Sequence, residues 1–466
     1  MIDHEPSVPA EGDLREILEE LLAETDIPGI SVVVSVRGIR LSAHVGRAAT
    51  NFDHSLSSRS RFEVSCLMKM FVALVVLEYA ANGRIFLDAP ITEYLPELAK
   101  GDTTQPILVR HLLSHTGGYF GLDISDARTK WAYNWQKFVD HFKQAGTAFP
   151  AGSVFNYEHT EHVVLGELIR RVSGKSAAIA VQRDLLDHLG ITTGCSSTDM
   201  ALDGVYVGQH RYDRTLGRFI QSNLPPFGQF WEASLPDWTL TLEQQITFAE
   251  AMCGSFNRSF GASPLSTSTL SLATQPVITL PNLSATGIMR ERTPRAFSLA
   301  CGYYRLSLFG HNGSMPGQSC AVRFAPTSRF AISVGIPAYA PYARDAAIDR
   351  TFALCLGRPR MLPRPNASRR RLFSFESLAG GHSMAEMAGI YRGSFFGEAR
   401  VTVQDGVIAC ALGRESRDGV TIKVRREGPY HCTLESSAPT SIGFVRHPQL
   451  NEPTLIIGVH AYKKIN

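Results

Sequence analysis

Residues 62–69, Phe-Glu-Val-Ser-Cys-Leu-Met-Lys, form the most informative segment of this sequence. Lys69 follows Cys66 by three positions, so in a helix both side chains fall on one face, one turn apart. A helix N-terminus and a nearby ammonium both lower the pKa of a thiol and so favour the nucleophilic thiolate. Residues 70–77 are apolar almost throughout, which predicts that this helix is buried.

The neighbouring Ser65 competes with Cys66 as the reactive group. It stands four residues before Lys69, and side chains three and four residues apart share a helix face. Spacing alone therefore leaves both residues open. A buried cysteine without reactivity is the third interpretation of the same stretch.

Composition indicates an ordinary globular protein with room for two domains. The chain has 466 residues, of which 44% are hydrophobic and 19% charged, and its formal net charge is +3. So small a charge gives no reason to expect nucleic acid or a membrane as partner. The sequence contains no uninterrupted apolar run of 18 residues, so no transmembrane helix is predicted.

The cysteines and the N-terminus bear on the cellular compartment. The eight cysteines are scattered, without paired Cys-x-x-Cys motifs or the density of a disulfide scaffold. Residues 1–6 are acidic and lack the apolar core of a secretory signal. We therefore expect a cytoplasmic location.

The patterning along the chain predicts both helices and strands. Apolar residues of 13–23 share one helix face, and residues 30–36 form a β-branched strand that turns at 37–38 into a second strand, 39–45. Short strands with turns between them recur from residue 391 onward, the last of them predicted over 455–462.

Two further segments carry side chains suited to acyl transfer. Residues 150–159 contain Tyr157 and His159 between a Pro/Gly turn and an apolar helix, and residues 310–317 read Gly-His-Asn-Gly-Ser-Met-Pro-Gly. A tyrosine beside an ammonium loses its proton more easily and can act as a general base. The competing interpretation is a core phenol with a satisfied hydroxyl.

In their order and spacing, these three segments resemble the motifs of the serine β-lactamase and penicillin-binding-protein superfamily, and of its class C members in particular. There a serine opens a buried helix, a lysine follows three residues later, and an aromatic residue stands four residues before the serine. Phe62 supplies that aromatic for Cys66, so the resemblance assigns Cys66 to the nucleophile position. Residues 86–98 and 109–118 resemble other recurrent family segments.

The resemblance also implies roles for the other motif residues. Tyr157 and Lys69 would act as general bases, and Tyr157, helped by His311, would protonate the leaving group. His159 replaces the family's asparagine, as an orienting group, a second base or a tolerated replacement. His311 replaces the lysine that binds a β-lactam carboxylate, which favours esters, thioesters or amides over penicillins as substrates. The resemblance further implies an oxyanion hole from the backbone amides of Cys66 and Ser314, with Asn312 and Gly313 against the substrate.

The fold implied is α/β (α+β): a β-lactamase-like antiparallel sheet flanked by helices, with a helical subdomain over residues 195–300. Residues 1–356 would form this catalytic domain. Residues 357–371, rich in proline and arginine, would form a linker. Residues 372–466 resemble the lipocalin-like β-barrel that some family members carry.

The function implied is acyl transfer through a covalent acyl-enzyme at Cys66. Its substrate would be a small-molecule or peptidyl acyl compound, including one tethered to a carrier protein, as in peptide or polyketide biosynthesis. Three alternatives stay open: an engineered cysteine in a serine hydrolase, a hydrolase of small esters or D-amino-acid peptides, and an inactive binding protein. No cofactor is expected. A zinc pair at His111 and His115 is disfavoured, because no third ligand and no His-Glu-x-x-His motif accompany it.

Overall fold

The structure is a computed structural model, and its described residues fall into two units. The first unit draws on residues 1–85, 173–276 and 298–366, and the second on 86–172, 277–297 and 367–466. The described ranges are 5–51, 54–99, 105–119, 134–193, 205, 207–213, 215–222, 238–254, 265–280, 296–304, 308–315, 317–357, 371–373, 383–392, 398–404, 407–412, 421–428, 431–436, 442–445, 454–457 and 460–465.

Helices and strands alternate through the chain. The described helices are α1 (Glu11–Thr25), α2 (Met68–Ala81), α3 (Ile91–Tyr94), α4 (Val109–Leu113), α5 (Trp135–Ala145), α6 (Thr160–Ser173), α7 (Ala177–Val181), α8 (Leu242–Met252), α9 (Thr267–Thr274), α10 (Pro341–Cys355) and α11 (Met384–Met387). The described strands are β1 (Gly29–Val36), β2 (Ile39–Ala49), β3 (His54–Ser55), β4 (Arg61–Glu63), β5 (Gln209–Asp213), β6 (Arg218–Ser222), β7 (Thr239–Thr241), β8 (Ile278–Thr279), β9 (Ala296–Phe297), β10 (Gly302–Tyr303), β11 (Phe309–Met315), β12 (Gln318–Ala325), β13 (Phe330–Ile336), β14 (Arg371–Phe373), β15 (Gly389–Arg392), β16 (Glu398–Gln404), β17 (Val407–Leu412), β18 (Thr421–Gly428), β19 (His431–Ser436), β20 (Ile442–Val445), β21 (Thr454–Ile457) and β22 (His460–Lys464).

An antiparallel sheet forms the centre of the first unit, with its strands in the order β3-β2-β1-β13-β12-β11-β10. The predicted hairpin between β1 and β2 is confirmed, because Val36 pairs with Ile39 across a two-residue turn. Both turn residues, Arg37 and Gly38, have positive φ, as a tight hairpin turn requires.

Helices cover both faces of this sheet. The alternating residues Ile30, Val32, Val34 and Val36 of β1 join one apolar core with the buried residues of α1 and α10. On the opposite face, Ser35 donates a 2.6 Å hydrogen bond to Glu250 of α8. The β-lactamase-like arrangement of an antiparallel sheet between helices, implied by the resemblance, is therefore confirmed.

Helices and strands share the described part of residues 195–300. Helices α8 and α9 agree with the predicted helical subdomain. Strands are present as well, because β5 and β6 form a hairpin and β7 pairs with β4. Segments 195–204, 223–237, 255–264 and 281–295 lie outside the described residues. Among the helices that are described, none combines the length and apolar character needed to span a bilayer.

The C-terminal part of the second unit is a curled, half-barrel antiparallel sheet, with strand order β14-β19-β18-β17-β16-β15-β22-β21-β20. The single final strand predicted over 455–462 is wrong. Two strands, β21 and β22, fold back on each other there and pair Ile457 with His460. Closure into a lipocalin-like barrel and the proposed domain limits stay predictions, and residues 358–370 of the linker lie outside the described part of the chain.

Candidate active site

The nucleophile segment is anchored by strand β4 and the residues on either side of it. Phe62 is buried against β13, where the ring carbons would lie 2.8 Å from a side-chain carbon added at Gly335. A strand residue without a side chain is therefore needed for the ring to fit. The Val64 amide donates to the carbonyl of Trp238 at 2.7 Å. These contacts fix where the chain leaves the strand and turns into α2.

Ser65 and Cys66 differ in their surroundings, which spacing could not show. Residues 65–67 form a short 3-10 turn that leads directly into α2. Ser65 has a positive φ of 50°, and its hydroxyl donates a 3.0 Å hydrogen bond to the carbonyl of Ser314 on β11. Cys66 is half-buried and is not part of a disulfide. The Ser65 hydroxyl is thus committed to the strand, which favours Cys66 as the reactive side chain.

Lys69 lies in the first turn of α2 and is only 3% exposed. The apolar residues that follow it, 70–77, are buried, as the sequence predicted. A buried ammonium acts strongly on nearby titratable groups, since little water screens it. The positive charge of Lys69 contributes to lowering the pKa of His311.

His311 is a neutral imidazole at physiological pH. Burial, and then the charge of Lys69, lower the pKa of His311 to about 3. Its Nδ1 lies 2.7 Å from the carbonyl of Asn312, which can only accept, so Nδ1 carries the proton and Nε2 is the acceptor nitrogen. His311 therefore offers no cation with which to bind a carboxylate.

Gly313 brings strand β11 against the nucleophile turn. A side-chain carbon at this position would lie 2.4 Å from Cys320 Sγ and 2.6 Å from the carbonyl oxygen of Val64. The missing side chain makes room for Cys320 and Val64, and the predicted contact of Gly313 with the substrate stays a prediction. Cys320 is buried, which raises its pKa to about 12, so it stays a thiol and not a rival nucleophile.

Asn312 and Ser314 have side chains bound by two buried arginines. Arg344 Nη1 donates to Ser314 Oγ at 3.0 Å, and Arg323 donates to Asn312 Oδ1. The side-chain oxygen of Asn312 is therefore already in use within the protein. Its predicted contact with the substrate stays a prediction.

Tyr157 and His159 belong to the second unit, where Tyr157 is half-buried. The Tyr157 ring packs on the cluster that contains Phe155 and Phe297, and its centroid lies 4.5 Å from that of His115. The ring of His159 is 6.0 Å from that of Tyr157. The structure thus gives Tyr157 a firm aromatic setting, and the roles of Tyr157 and His159 stay predictions.

The structure contains a buried glutamate–histidine pair, Glu161 and His115, beside Tyr157, which the sequence analysis did not predict. Glu161 Oε2 lies 2.6 Å from His115 Nδ1, and its other oxygen accepts from the Gly117 amide at 2.8 Å. Burial raises the pKa of Glu161 well above its usual range. The amide of Glu158 also points at His115 Nδ1, at 3.2 Å, which suits a protonated Glu161 that donates to the same nitrogen. The only signal in the sequence was a glutamate at the start of an apolar helix.

The two histidines of the disfavoured zinc pair have other partners. His111 Nδ1 accepts from the Leu108 amide at 3.2 Å, and His115 is bonded to Glu161. Within the described ranges, no three His, Cys, Asp or Glu side chains are grouped so as to hold a metal ion.

Comparison with known proteins agrees with this geometry. Residues 14–336 match the model of the beta-lactamase family. Esterase EstB of Burkholderia gladioli is 28% identical over 194 residues, 38% of this chain and 49% of the esterase. A beta-lactamase of Providencia stuartii is 30% identical over 179 residues, 38% of this chain and 45% of that enzyme. The chain thus spans about half the length of the curated relatives it matches.

The likeness in structure extends over nearly the whole chain. The crystal structure of SurE superposes with a TM-score of 0.71 at 21% identity, covering 98% of this chain and 99% of SurE. At that identity the likeness concerns the fold, the C-terminal sheet included. The family match spans well over half of the sequence and contains all three motifs, so the chain belongs to the beta-lactamase family.

Proposed function

We propose that the protein is an acyl-transfer enzyme that forms a covalent acyl-enzyme at Cys66 from a thioester, ester or amide. The observation that carries the proposal is the junction of the nucleophile turn with β11. Gly313 and the Ser65–Ser314 hydrogen bond hold the strand against the turn. The amides of Cys66 and Ser314, which the family resemblance assigns to the oxyanion hole, therefore belong to two segments tied directly together.

In the proposed reaction the thiolate of Cys66 attacks the acyl carbon, while the Cys66 and Ser314 amides stabilise the developing oxyanion. A carbon–sulfur bond forms, the bond to the leaving group breaks, and the thiol proton passes to the leaving group. The charge of Lys69 supports the thiolate. Tyr157 would transfer the proton, a role that rests on the resemblance of its motif. His311, neutral with a pKa of about 3, would act as an acceptor and not as the acid.

The acyl-enzyme would be a thioester, and thioesters react with amines more readily than oxygen esters do, relative to water. This chemistry favours transfer to an amine or hydroxyl acceptor over hydrolysis. The proposed donor is a small-molecule or peptidyl acyl compound, including one presented by a carrier protein in the cytoplasm. Nucleic acid and membranes are not proposed as partners, and no cofactor takes part.

Intact-protein mass spectrometry tests the acyl-enzyme. The protein is incubated with activated thioesters and oxygen esters, and the added mass is mapped to a residue. We expect one acyl group on Cys66 and none on Cys66→Ala. Cys355→Ala is the matched control, because it removes a buried thiol of α10 and should be acylated like the wild type. Failure of every donor to acylate a folded wild type would favour a binding protein.

A second experiment separates transfer from hydrolysis, the reaction that the esterase relative makes the main alternative. The acylated protein is isolated and its decay is followed with and without amine or alcohol acceptors. Faster decay to the acceptor adduct supports a transferase, whereas unchanged decay to free acid indicates a hydrolase. If Cys66→Ser turns over oxygen esters much faster than the wild type, the native enzyme is a serine hydrolase.

A further inference from the structure

Asn156, directly before Tyr157, is a buried junction within the second unit. It is 4% exposed, and three of its polar groups have partners. Its amide N–H donates to the carbonyl of His115 at 2.8 Å, and its Nδ2 donates to Glu158 Oε1 at 3.1 Å. Its Oδ1 accepts from the backbone amide of Ala461 on β22 at 2.9 Å. One side chain thus joins the Tyr157 loop to the C-terminal sheet.

The Ala461 amide lies on the side of β22 that faces β15. The amide of Ile465, four residues later and on the same side, donates to the carbonyl of Ile390 in β15 at 2.7 Å. The described pairing of β22 with β15 covers only Lys463 and Lys464. At Ala461 the Asn156 oxygen therefore takes the place of a strand carbonyl. Ala461 is 1% exposed, and a buried amide left without an acceptor costs about 1–3 kcal/mol.

Asn156 also makes hydrogen bonds to groups that flank Tyr157. On one side, the Asn156 backbone is held by His115, whose ring lies against that of Tyr157. On the other side, its Nδ2 holds the carboxyl group of Glu158, which is 5% exposed. Releasing Asn156 would free the loop at the residue before the phenol and at the residue after it.

We propose that Asn156 is a positioning residue for Tyr157, and that strand β22 of the C-terminal sheet thereby forms part of the acid–base side of the site. The inference rests on the proposed proton-transfer role of Tyr157. It gives the C-terminal sheet a task in the reaction, since the Ala461 amide holds the loop that carries the phenol. An appended domain that served only to bind a partner would not need this bond.

The test uses the full chain with Asn156→Ala, which removes both side-chain bonds, and Asn156→Asp, which keeps an acceptor for Ala461. Ser153→Ala is the matched control, because its hydroxyl donates to the Pro150 carbonyl of the same loop, a bond that does not involve the C-terminal sheet. Acylation of Cys66 is timed with two donors of one acyl group, a thiophenyl ester and an alkyl thioester. The weakly basic thiophenolate gains little from general-acid catalysis, whereas the more basic alkyl thiolate leaves faster when it receives a proton.

We expect Asn156→Ala to slow acylation by the alkyl thioester roughly 10-fold more than by the thiophenyl ester, with Asn156→Asp and Ser153→Ala closer to the wild type. Amide hydrogen exchange should rise in peptides that contain Ala461 and Tyr157. Should Asn156→Ala not fold, the same comparison is made with Asn156→Asp, whose lost bond to Glu158 predicts a smaller loss of the same kind.

Equal slowing with both donors, or unchanged exchange at Ala461, would overturn the inference while Cys66 is still acylated. A wild type that neither donor acylates overturns the proposed function instead, and the role given to Asn156 falls with it. The two failures are therefore distinguishable by the wild-type mass alone.

Discussion

Replacing Ser65 tests whether the nucleophile turn is held for catalysis or only for folding. Its part-buried hydroxyl bond to the Ser314 carbonyl contributes about 1 kcal/mol to stability, as neutral hydrogen bonds within proteins typically do. Its φ of 50° costs a residue with a side chain roughly 1–2 kcal/mol that glycine does not incur. Ser65→Ala keeps that cost and loses the bond, so it should destabilise by about 1 kcal/mol. Ser65→Gly loses the bond but relieves the backbone, so its stability should match or exceed the wild type.

Activity should follow a different order. Both variants lose the hydroxyl that holds the Ser314 carbonyl, and with it one constraint on the adjoining peptide that carries the Ser314 amide. Loss of a whole oxyanion-hole donor costs about 100- to 1,000-fold, so a misdirected donor should cost roughly 10-fold, or about 1.4 kcal/mol. We therefore expect both variants to acylate Cys66 about 10-fold more slowly than the wild type.

The assay is urea unfolding beside single-turnover acylation by a thiophenyl ester. Ser60→Ala is the control, because Ser60 is buried and its hydroxyl accepts from Ser57, with no bond to β11. Full acylation rate in Ser65→Gly would refute the reasoning, since activity would then follow stability. Complete loss of acylation in both variants, with no mass on Cys66, would instead indicate Ser65 as the nucleophile.

Three further outcomes are expected. Iodoacetamide should label Cys66 before the five other cysteines whose side chains are described, because burial raises their pKa values to about 11 for Cys301 and about 12 for Cys253, Cys320, Cys355 and Cys410. Earlier labelling of any of those five, read by peptide mapping, would contradict the assignment. His311 is neutral when folded and protonates near pH 6.5 when unfolded, so unfolding takes up a proton below that pH. The free energy of unfolding of the wild type should therefore fall as pH drops from 6.5 toward 3, by at most about 1.4 kcal/mol per pH unit. His311→Gln, followed by urea unfolding at each pH, should lack this part of the fall. The same dependence of stability on pH in both proteins would contradict the prediction. Nitrocefin hydrolysis should be weak or absent, since His311 offers no cation for the β-lactam carboxylate, and rapid turnover abolished by Cys66→Ala would contradict this.

Local patterns predicted the elements that local physics determines. The hairpin at Arg37–Gly38 and the buried helix α2 follow from turn chemistry and from an apolar run, and both are present. The choice between Ser65 and Cys66 was different in kind. The two residues differ in surroundings because Ser65 has a positive φ and a hydrogen bond to a residue 249 positions away. Neither feature can be inferred from residue spacing.

The same limit explains Gly313 and Glu161. The expected contact of Gly313 with the substrate stays a prediction, and the register of β11 with β12 adds a neighbour, Cys320, that the motif did not indicate. Glu161 reads as an ordinary first-turn acid of a helix, yet it is 1% exposed and bonded to a histidine 46 positions away. In both cases the deciding neighbour comes from another part of the chain, which one sequence without structure cannot supply.

The two residues that we propose to react, Cys66 and Tyr157, are each preceded by a residue whose side chain is hydrogen-bonded to a strand of the same unit. Ser65 precedes Cys66 and binds β11, and Asn156 precedes Tyr157 and is bound by β22. In each case the preceding residue fixes the backbone from which the proposed reactive side chain extends. Replacing Ser65 and replacing Asn156 should nevertheless affect the rate of acylation differently. The oxyanion forms with every donor, so loss of the Ser65 hydroxyl should slow good and poor leaving groups alike, whereas loss of Asn156 should slow mainly the poor ones. That difference separates the charge-stabilising part of the site from its proton-transferring part without altering either reactive residue.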